Sequence, residues 1–190
     1  TDITRTYALG EVPEKMKEDF TIVAISNLQL ASAKFLQGSS GLTLDILARK
    51  PFWDRGLNYN HGTGHGVGYL LNIHEGPAGF RYKYRAGETE EIQEGMVITD
   101  EPGLYIEGSH GIRLENELLA RKGVQNEYGQ FLYFETITLI PFDLDAINPA
   151  ILDEENKKLL NEYHKRVYEE IAPHLNEEEK AFLKKYTRAV

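Results

Sequence analysis

Cysteine is absent from the 190-residue chain, which excludes disulfides, zinc–thiolate sites and a cysteine nucleophile. A thiol-free composition fits the cytoplasm, and cytoplasmic localisation is the expectation. Long apolar runs are also missing. Nothing approaches the roughly 18 residues of a membrane span, and no basic-then-apolar segment opens the chain. No membrane partner is expected. Positive charge is in deficit: 21 Lys and Arg against 30 Asp and Glu leave a net charge of −9. That balance argues against binding nucleic acid or anionic membranes through general electrostatics. Internal repeats, low-complexity tracts and long linkers are lacking too. What is present is 41% hydrophobic and 27% charged, the profile of a globular protein with a real core. At roughly 150 residues per domain the length allows one to two domains. The chain opens without Met on Thr1-Asp2-Ile3-Thr4-Arg5-Thr6, which reads as a strand entered partway and predicts a piece of a longer protein.

Ile3, Thr4, Thr6 and Tyr7 suit that strand by β-propensity, and Gly10 ends it. Met16, Phe20, Ala24, Leu28, Ala31 and Phe35 recur at spacings of three and four. The spacing predicts a helix from Pro13 to about Phe35. A shorter helix is expected over Leu42 to about Trp53, kinked or ended by Pro51. Strand signals follow at 96–99, 104–106, 112–120 and 131–140, separated by Gly- and Pro-containing turns. From Asp153 the pattern turns helical, with Leu160, Tyr163, Val167 and Ile171 on one stripe. A last helix starts at Asn176 with Glu179 three residues on, close to a capping box. A strand, two helices, several strands and two helices make an α+β order, not the alternation of a doubly wound sheet.

The segment His61-Gly62-Thr63-Gly64-His65-Gly66-Val67-Gly68 carries glycine at every second position. A helix would lose ~1 kcal/mol per Gly relative to Ala. His61 and His65 are therefore not the helical metal pair of a zincin, and no Gly-Lys-Ser/Thr marks a phosphate loop. The glycines let the backbone pass close to something while histidines project from it. The plainer alternative is a Gly-rich hairpin with incidental histidines. Glu101 lies at a strand end before Pro102-Gly103. Glu115 alternates with Leu114 in a strand, where solvent exposure is the default for a lone Glu. Carboxylates with imidazole and no thiol suit Mn, Co, Fe or Zn. Two such ions sharing a bridging carboxylate can activate water. His110, His164 and His174 read as surface residues, and nothing decides the surroundings of Glu135.

His61 to Gly68, Asn72-Ile73-His74-Glu75-Gly76-Pro77, Glu101-Pro102-Gly103-Leu104-Tyr105 and Gly111-Ile112-Arg113-Leu114-Glu115-Asn116 together resemble Xaa-Pro aminopeptidase (aminopeptidase P). The opening Thr-Asp strand is similar to that family's as well. The family belongs to the pita-bread metallopeptidases. The resemblance implies the second half of a pita-bread fold, an antiparallel curved sheet flanked by helices. Residues 1–142 would form the partial catalytic domain and 143–190 a carboxy-terminal helical extension. It implies Asp2, His65, Glu101 and Glu115 as metal ligands, with Asp2 and Glu115 bridging two divalent ions, Mn first and Co or Zn next. His74 would steady the scissile carbonyl, His61 would line the substrate pocket, and Arg113 would support the bridging Glu from behind. Water activated between the ions would attack the bond before proline, with Glu101 accepting a proton. The implied substrate is a peptide with proline in second position, and the implied parent is a homodimer joined through its carboxy-terminal region. One departure stands out. The family's first ligand, an aspartate upstream of the one matched by Asp2, has no counterpart here. One ion or none is therefore expected in this chain, with no turnover. A prolidase-like dipeptidase and a non-catalytic pita-bread interaction module are the alternatives; the filled ligand positions favour the enzyme.

Overall fold

The apolar stripe beginning at Met16 forms helix α1 (Glu14–Ala31), and the rest of the molecule is assembled around it. The computed structural model describes residues 2–70 and 72–190; Thr1 of the opening motif lies outside the described residues. From Asp19 to Leu28 every residue of α1 is buried. Its polar side chains are spent on neighbours: Ser26 Oγ donates to Ala48 O at 2.6 Å and Asn27 Nδ2 to Asp100 O at 2.8 Å. The helix is shorter than its spacing predicts. Phe35 belongs instead to β1 (Lys34–Leu36), which pairs with β8 (Gly129–Thr136). Pairing satisfies the backbone as well as helix would, and it stacks Phe35 on Phe134 with ring centroids 4.9 Å apart. Helix α2 (Gly41–Trp53) carries Pro51 in its last turn, where the missing N–H removes a single helical bond.

The principal sheet is antiparallel, in the order β1-β8-β7-β4, with β4 at Val97–Asp100 and β7 at Asn116–Asn126. Two short ribbons flank it: β2 (Gly64–His65) with β3 (Gly79–Phe80), and β5 (Gly103–Ile106) with β6 (His110–Arg113). The single strand expected over 112–120 is thus two strands. The chain changes partners at Leu114 and Glu115, from β5 to β4 and β8. At the break Glu115 N donates to Thr4 O at 3.0 Å. The opening strand, for its part, is reduced to one antiparallel bridge, Thr4 to Glu115. Two apolar clusters result. One joins α1 to β5, β6 and the tail; the other joins α1 and α2 to the principal sheet.

In the tail, α3 (Glu154–Ile171) buries Leu160 and Val167, and α4 (Glu177–Tyr186) opens with a complete capping box between Asn176 and Glu179. No helix of the described residues is long and apolar enough to cross a membrane. Glu135 is half-buried and pairs with Arg121 and Arg166. His174 is exposed, but two other histidines correct the surface reading. His110 Nε2 lies 3.1 Å from Oδ2 of the buried Asp19. His164 is fully buried, because it stands on the inward stripe of α3, and its Nε2 accepts from Phe142 N at 3.0 Å.

Burial, with the charges of Arg5 and Arg188 adding to it, pushes the His164 pKa down to about 4. Folded, the ring stays neutral until about pH 4; unfolded, it binds a proton near 6.5. The stability it contributes is whole above about pH 6.5 and is lost as pH falls toward 4, by about 3 kcal/mol in all. Thermal melts between pH 7 and 4 should show this slope in the native chain. In His164→Asn the corresponding part of the slope should vanish, whatever the variant's overall stability.

Candidate metal centre

The alternating glycines bring the first histidines into place. In an extended segment alternate residues share a face, and here the glycine face lies against other backbone. A Cβ on Gly64 would stand 1.7 Å from Thr99 O, and one on Gly66 2.1 Å from Glu75 O. No side chain fits at either position, which fixes the path of the segment: His61 and His65 stay partly accessible, and Thr63 between them is fully buried. His65 N then donates to Thr99 Oγ1 at 3.0 Å, and the same hydroxyl donates to Glu101 Oε1 at 3.2 Å. Glu101 N donates to Thr63 O at 2.7 Å. One threonine therefore sets both a histidine and a carboxylate.

Glu115 sits at the partner change between β6 and β7 and is buried, not exposed as a lone strand Glu would be by default. Its Oε2 accepts from Thr4 Oγ1 at 2.5 Å. Asp2 follows from the same pairing, with its backbone N donating to Glu117 Oε1 at 3.2 Å. Arg5 closes the seam. Its Nη1 donates to Thr4 O at 2.9 Å and Glu115 O at 2.6 Å, and its Nη2 to Asn116 Oδ1 at 2.6 Å.

Four sequence-predicted residues thus converge. Asp2, His65 and Glu115 each offer a ligand atom, all within 4.8 Å of one another. His65 Nε2 lies 3.5 Å from Asp2 Oδ2 and 3.3 Å from Glu101 Oε1, so Glu101 joins the group through the imidazole. His65 Nδ1 is 3.1 Å from Gly66 O. A carbonyl accepts only, so Nδ1 carries a proton and Nε2 faces the carboxylates, the arrangement seen around metal-bound histidines.

Burial raises the pKa of Glu115 to about 7; the Thr4 hydroxyl opposes the shift, and the nearby Glu101 and Asp2 charges add to it. Burial likewise raises Glu101, against the pull of Arg113. Three carboxylates crowded around one imidazole nitrogen repel one another, and a divalent ion reverses that electrostatic logic. The donor set fits such an ion.

The remaining predicted residues line the approach. The His74 ring centroid is 4.3 Å from that of His65, and both face a cavity of about 210 Å³ shared with Arg81, Arg85 and Glu88. Arg113, expected to support the bridging Glu115, instead makes its ion pair among the described residues with Glu101, Nη1 lying 3.8 Å from Oε2, and its Nε donates to Tyr105 OH at 2.9 Å. His61 Nε2 lies 3.0 Å from the same hydroxyl. Tyr105 is a residue the sequence reading passed over, although it closes the quoted Glu-Pro-Gly-Leu-Tyr motif. Arg5, Thr99 and the fully buried Asp100 were also passed over. The Asp100 carboxylate oxygens have no hydrogen-bond partner among the described residues. Burial, reinforced by Glu101, Glu115 and Asp45, holds this group well above the usual carboxylate range.

An α+β fold that gathers Asp2, His65, Glu101 and Glu115 from strand ends and the junctions between strands has the class of site that could hold a metal ion. The chain belongs to metallopeptidase family M24, whose model matches residues 1–122, with the C-terminal region of peptidase M24 matching residues 130–190. It is 42% identical to aminopeptidase P1 of Arabidopsis thaliana over 193 residues, covering 100% of this chain and 30% of that protein. Among solved structures it is similar to the X-prolyl aminopeptidase of Caenorhabditis elegans, described as a cytosolic enzyme with a di-nuclear active site. There the TM-score is 0.90 at 36% identity, over 100% of this chain and 31% of that one. The prolidase of Pyrococcus horikoshii is similar over 62% of this chain, with TM-score 0.54 and 37% identity. The architecture is that of the pita-bread neighbours. The chain spans about a third of the length of the relatives it matches.

Proposed function

We propose that this chain is part of a longer cytoplasmic Xaa-Pro aminopeptidase, a homodimer that hydrolyses the bond between an amino-terminal residue and a following proline. Residues 1–142 form its partial catalytic unit and 143–190 the carboxy-terminal extension. The observation that carries the reading is the convergence of Asp2, His65 and Glu115 ligand atoms within 4.8 Å, with Glu101 against His65. Asp2, His65, Glu101 and Glu115 would hold divalent metal, Mn by preference, with Asp2 and Glu115 shared between ions. Bound metal supplies Lewis acidity and a lowered pKa for water. The chain's own groups do the rest. Glu101, beside the ligand histidine and facing Arg113, accepts a proton. His74, its ring against that of His65, donates to the scissile carbonyl oxygen as negative charge develops there. His61 lines the substrate side. Arg113 holds the Glu101 carboxylate and the Tyr105 hydroxyl in register. A prolidase-like reading would use the same ligands, but the aminopeptidase likeness covers 100% of this chain and the prolidase likeness 62%.

The test is made on the full-length protein. Stripping metal should reduce release of the residue before proline to background, and Mn, added separately from Co and Zn, should restore it best. Turnover that survives complete metal removal would refute the assignment.

A further inference from the structure

Arg49 buries a full charge in α2, yet most of its hydrogen bonds leave that helix. Its Nε donates to Asp45 Oδ2 at 2.6 Å. Its Nη1 donates to Asn58 Oδ1 at 3.1 Å and Tyr59 O at 2.8 Å, and its Nη2 to His61 O at 2.7 Å. The rings of Tyr59 and Tyr82 lie on the guanidinium, with centroids 4.0 and 4.4 Å from Cζ. The second Asp45 oxygen accepts from Thr63 Oγ1 at 2.6 Å, and Thr63 shares a 2.6 Å bond with Tyr59 OH. The whole ion pair is directed at residues 58–63. A buried ion pair stabilises a fold no better than well-packed apolar groups, so stability alone gives no reason for a charge here. The shape of that segment does.

What the segment holds is the His61 ring. Its Nδ1 lies 2.7 Å from Gly62 O, and its Nε2 3.0 Å from Tyr105 OH. The carbonyl only accepts, so Nδ1 carries the proton, and Nε2 of the neutral ring accepts a hydrogen bond from the Tyr105 hydroxyl. The Tyr105 oxygen in turn accepts from Arg113 Nε. Each link needs the ring in one place.

We propose that Arg49 is a positioning residue that grips the Tyr59 and His61 carbonyls and so holds the His61 ring on Tyr105, in one tautomer, at the wall of the substrate cleft. That this wall faces substrate rests on the aminopeptidase reading; the grip itself does not. A lysine at position 49 keeps the charge and can reach Asp45. Its compact ammonium cannot span two carbonyls and stack between two rings, as a planar fork does.

The test uses the metal-free, 15N-labelled 190-residue chain, reading His61 by long-range imidazole NMR spectra. The groups facing the ring are Arg49, Arg81, Arg113, Tyr59 and Tyr105. Burial, with the charges of Arg113, Arg49 and Arg81, holds the native His61 pKa below its ordinary value. The native chain should therefore show the Nδ1–H form alone. Arg49→Lys should give a mixture of tautomers and a titration midpoint moved up toward about 6.5, while Mn binding measured by calorimetry is unchanged. A folded Arg49→Lys with native His61 signals would overturn the proposal. So would a folded variant that loses Mn binding as well, since Arg49 would then be scaffolding for the whole site. If Arg49→Lys does not fold, Tyr82→Leu takes its place. It frees one face of the guanidinium from a position that is 39% exposed. It should shift His61 the same way by a smaller amount, and no shift would overturn the proposal. Failure of the native chain to bind Mn counts against the metal reading alone, because the tautomer is read without metal.

Discussion

Arg5→Ala should destabilise the chain by about 1–3 kcal/mol for each interior acceptor left unpaired and weaken Mn binding at the same time. The guanidinium is buried, and burial lowers its pKa, but an arginine remains charged under these conditions. Its N–H groups serve Thr4 O, Glu115 O, Asn116 Oδ1, Ile140 O and Tyr163 OH, and Cζ lies 4.7 Å from the Phe142 ring centroid. Alanine leaves those acceptors unpaired in the interior, where each costs its desolvation penalty. Among the described residues the opening segment has one bridge to the sheet, at Thr4. Without Arg5 the segment that carries Asp2 is held beside Glu115 by the weaker set of Asp2–Glu117, Thr4–Glu115 and Thr6–Arg113 hydrogen bonds. Arg5→Lys should fall between the two, because an ammonium cannot serve the same fan of carbonyls. Urea unfolding followed in parallel with Mn calorimetry distinguishes the outcomes. Native stability in Arg5→Ala, or native Mn affinity, would show that the seam is held by something else.

This residue also marks where sequence reading stops. The Met16-to-Leu28 stripe was legible as helix because its period is local, and the Asn176 capping box because its two partners are three residues apart. The spacing of histidines among glycines pointed to a close backbone approach, and the contacts at Gly64 and Gly66 are that approach. Tertiary choices were not legible. Phe35 continues the helical period, yet β8 offers its backbone a competing set of hydrogen bonds. Ile112 to Ala120 alternates as one strand, yet the partner on either side of Glu115 differs, and periodicity carries no record of partners. His164 stands one residue from the expected stripe position Tyr163, and only the packing of α3 decides that it points inward. Arg49 and Arg5 look like surface charges in sequence. What makes each of them central is a set of carbonyls ten or more residues away, visible only once the strands have met. The Asp2, His65, Glu101 and Glu115 set was reached through motif resemblance, and composition alone would have left Asp2 without a signal.

Titrated with Mn, the 190-residue chain should show one site, not two, and no turnover of a proline peptide. One ion would draw on Asp2, His65, Glu101 and Glu115. A second would have only the shared Asp2 and Glu115, because the resemblance places its remaining ligand on an aspartate with no counterpart in this sequence. Withholding that carboxylate also removes negative charge from a site that must offset two dications. The opening segment is tied down better than a frayed strand end would be, since Asp2 N is bonded to Glu117, Thr4 to Glu115, and Arg5 to both strands. That argues for one occupied site over none. His65→Ala removes the nitrogen ligand and should abolish binding. Thr99→Val leaves every ligand in place but loses the hydroxyl that accepts from His65 N and donates to Glu101 Oε1. Partners of that kind are worth roughly 10–100-fold in metal affinity, and the variant should weaken Mn by that factor with its fold intact. Calorimetric stoichiometry near two, or a Thr99→Val affinity equal to the native value, would mean that the ligand set or its support has been misassigned.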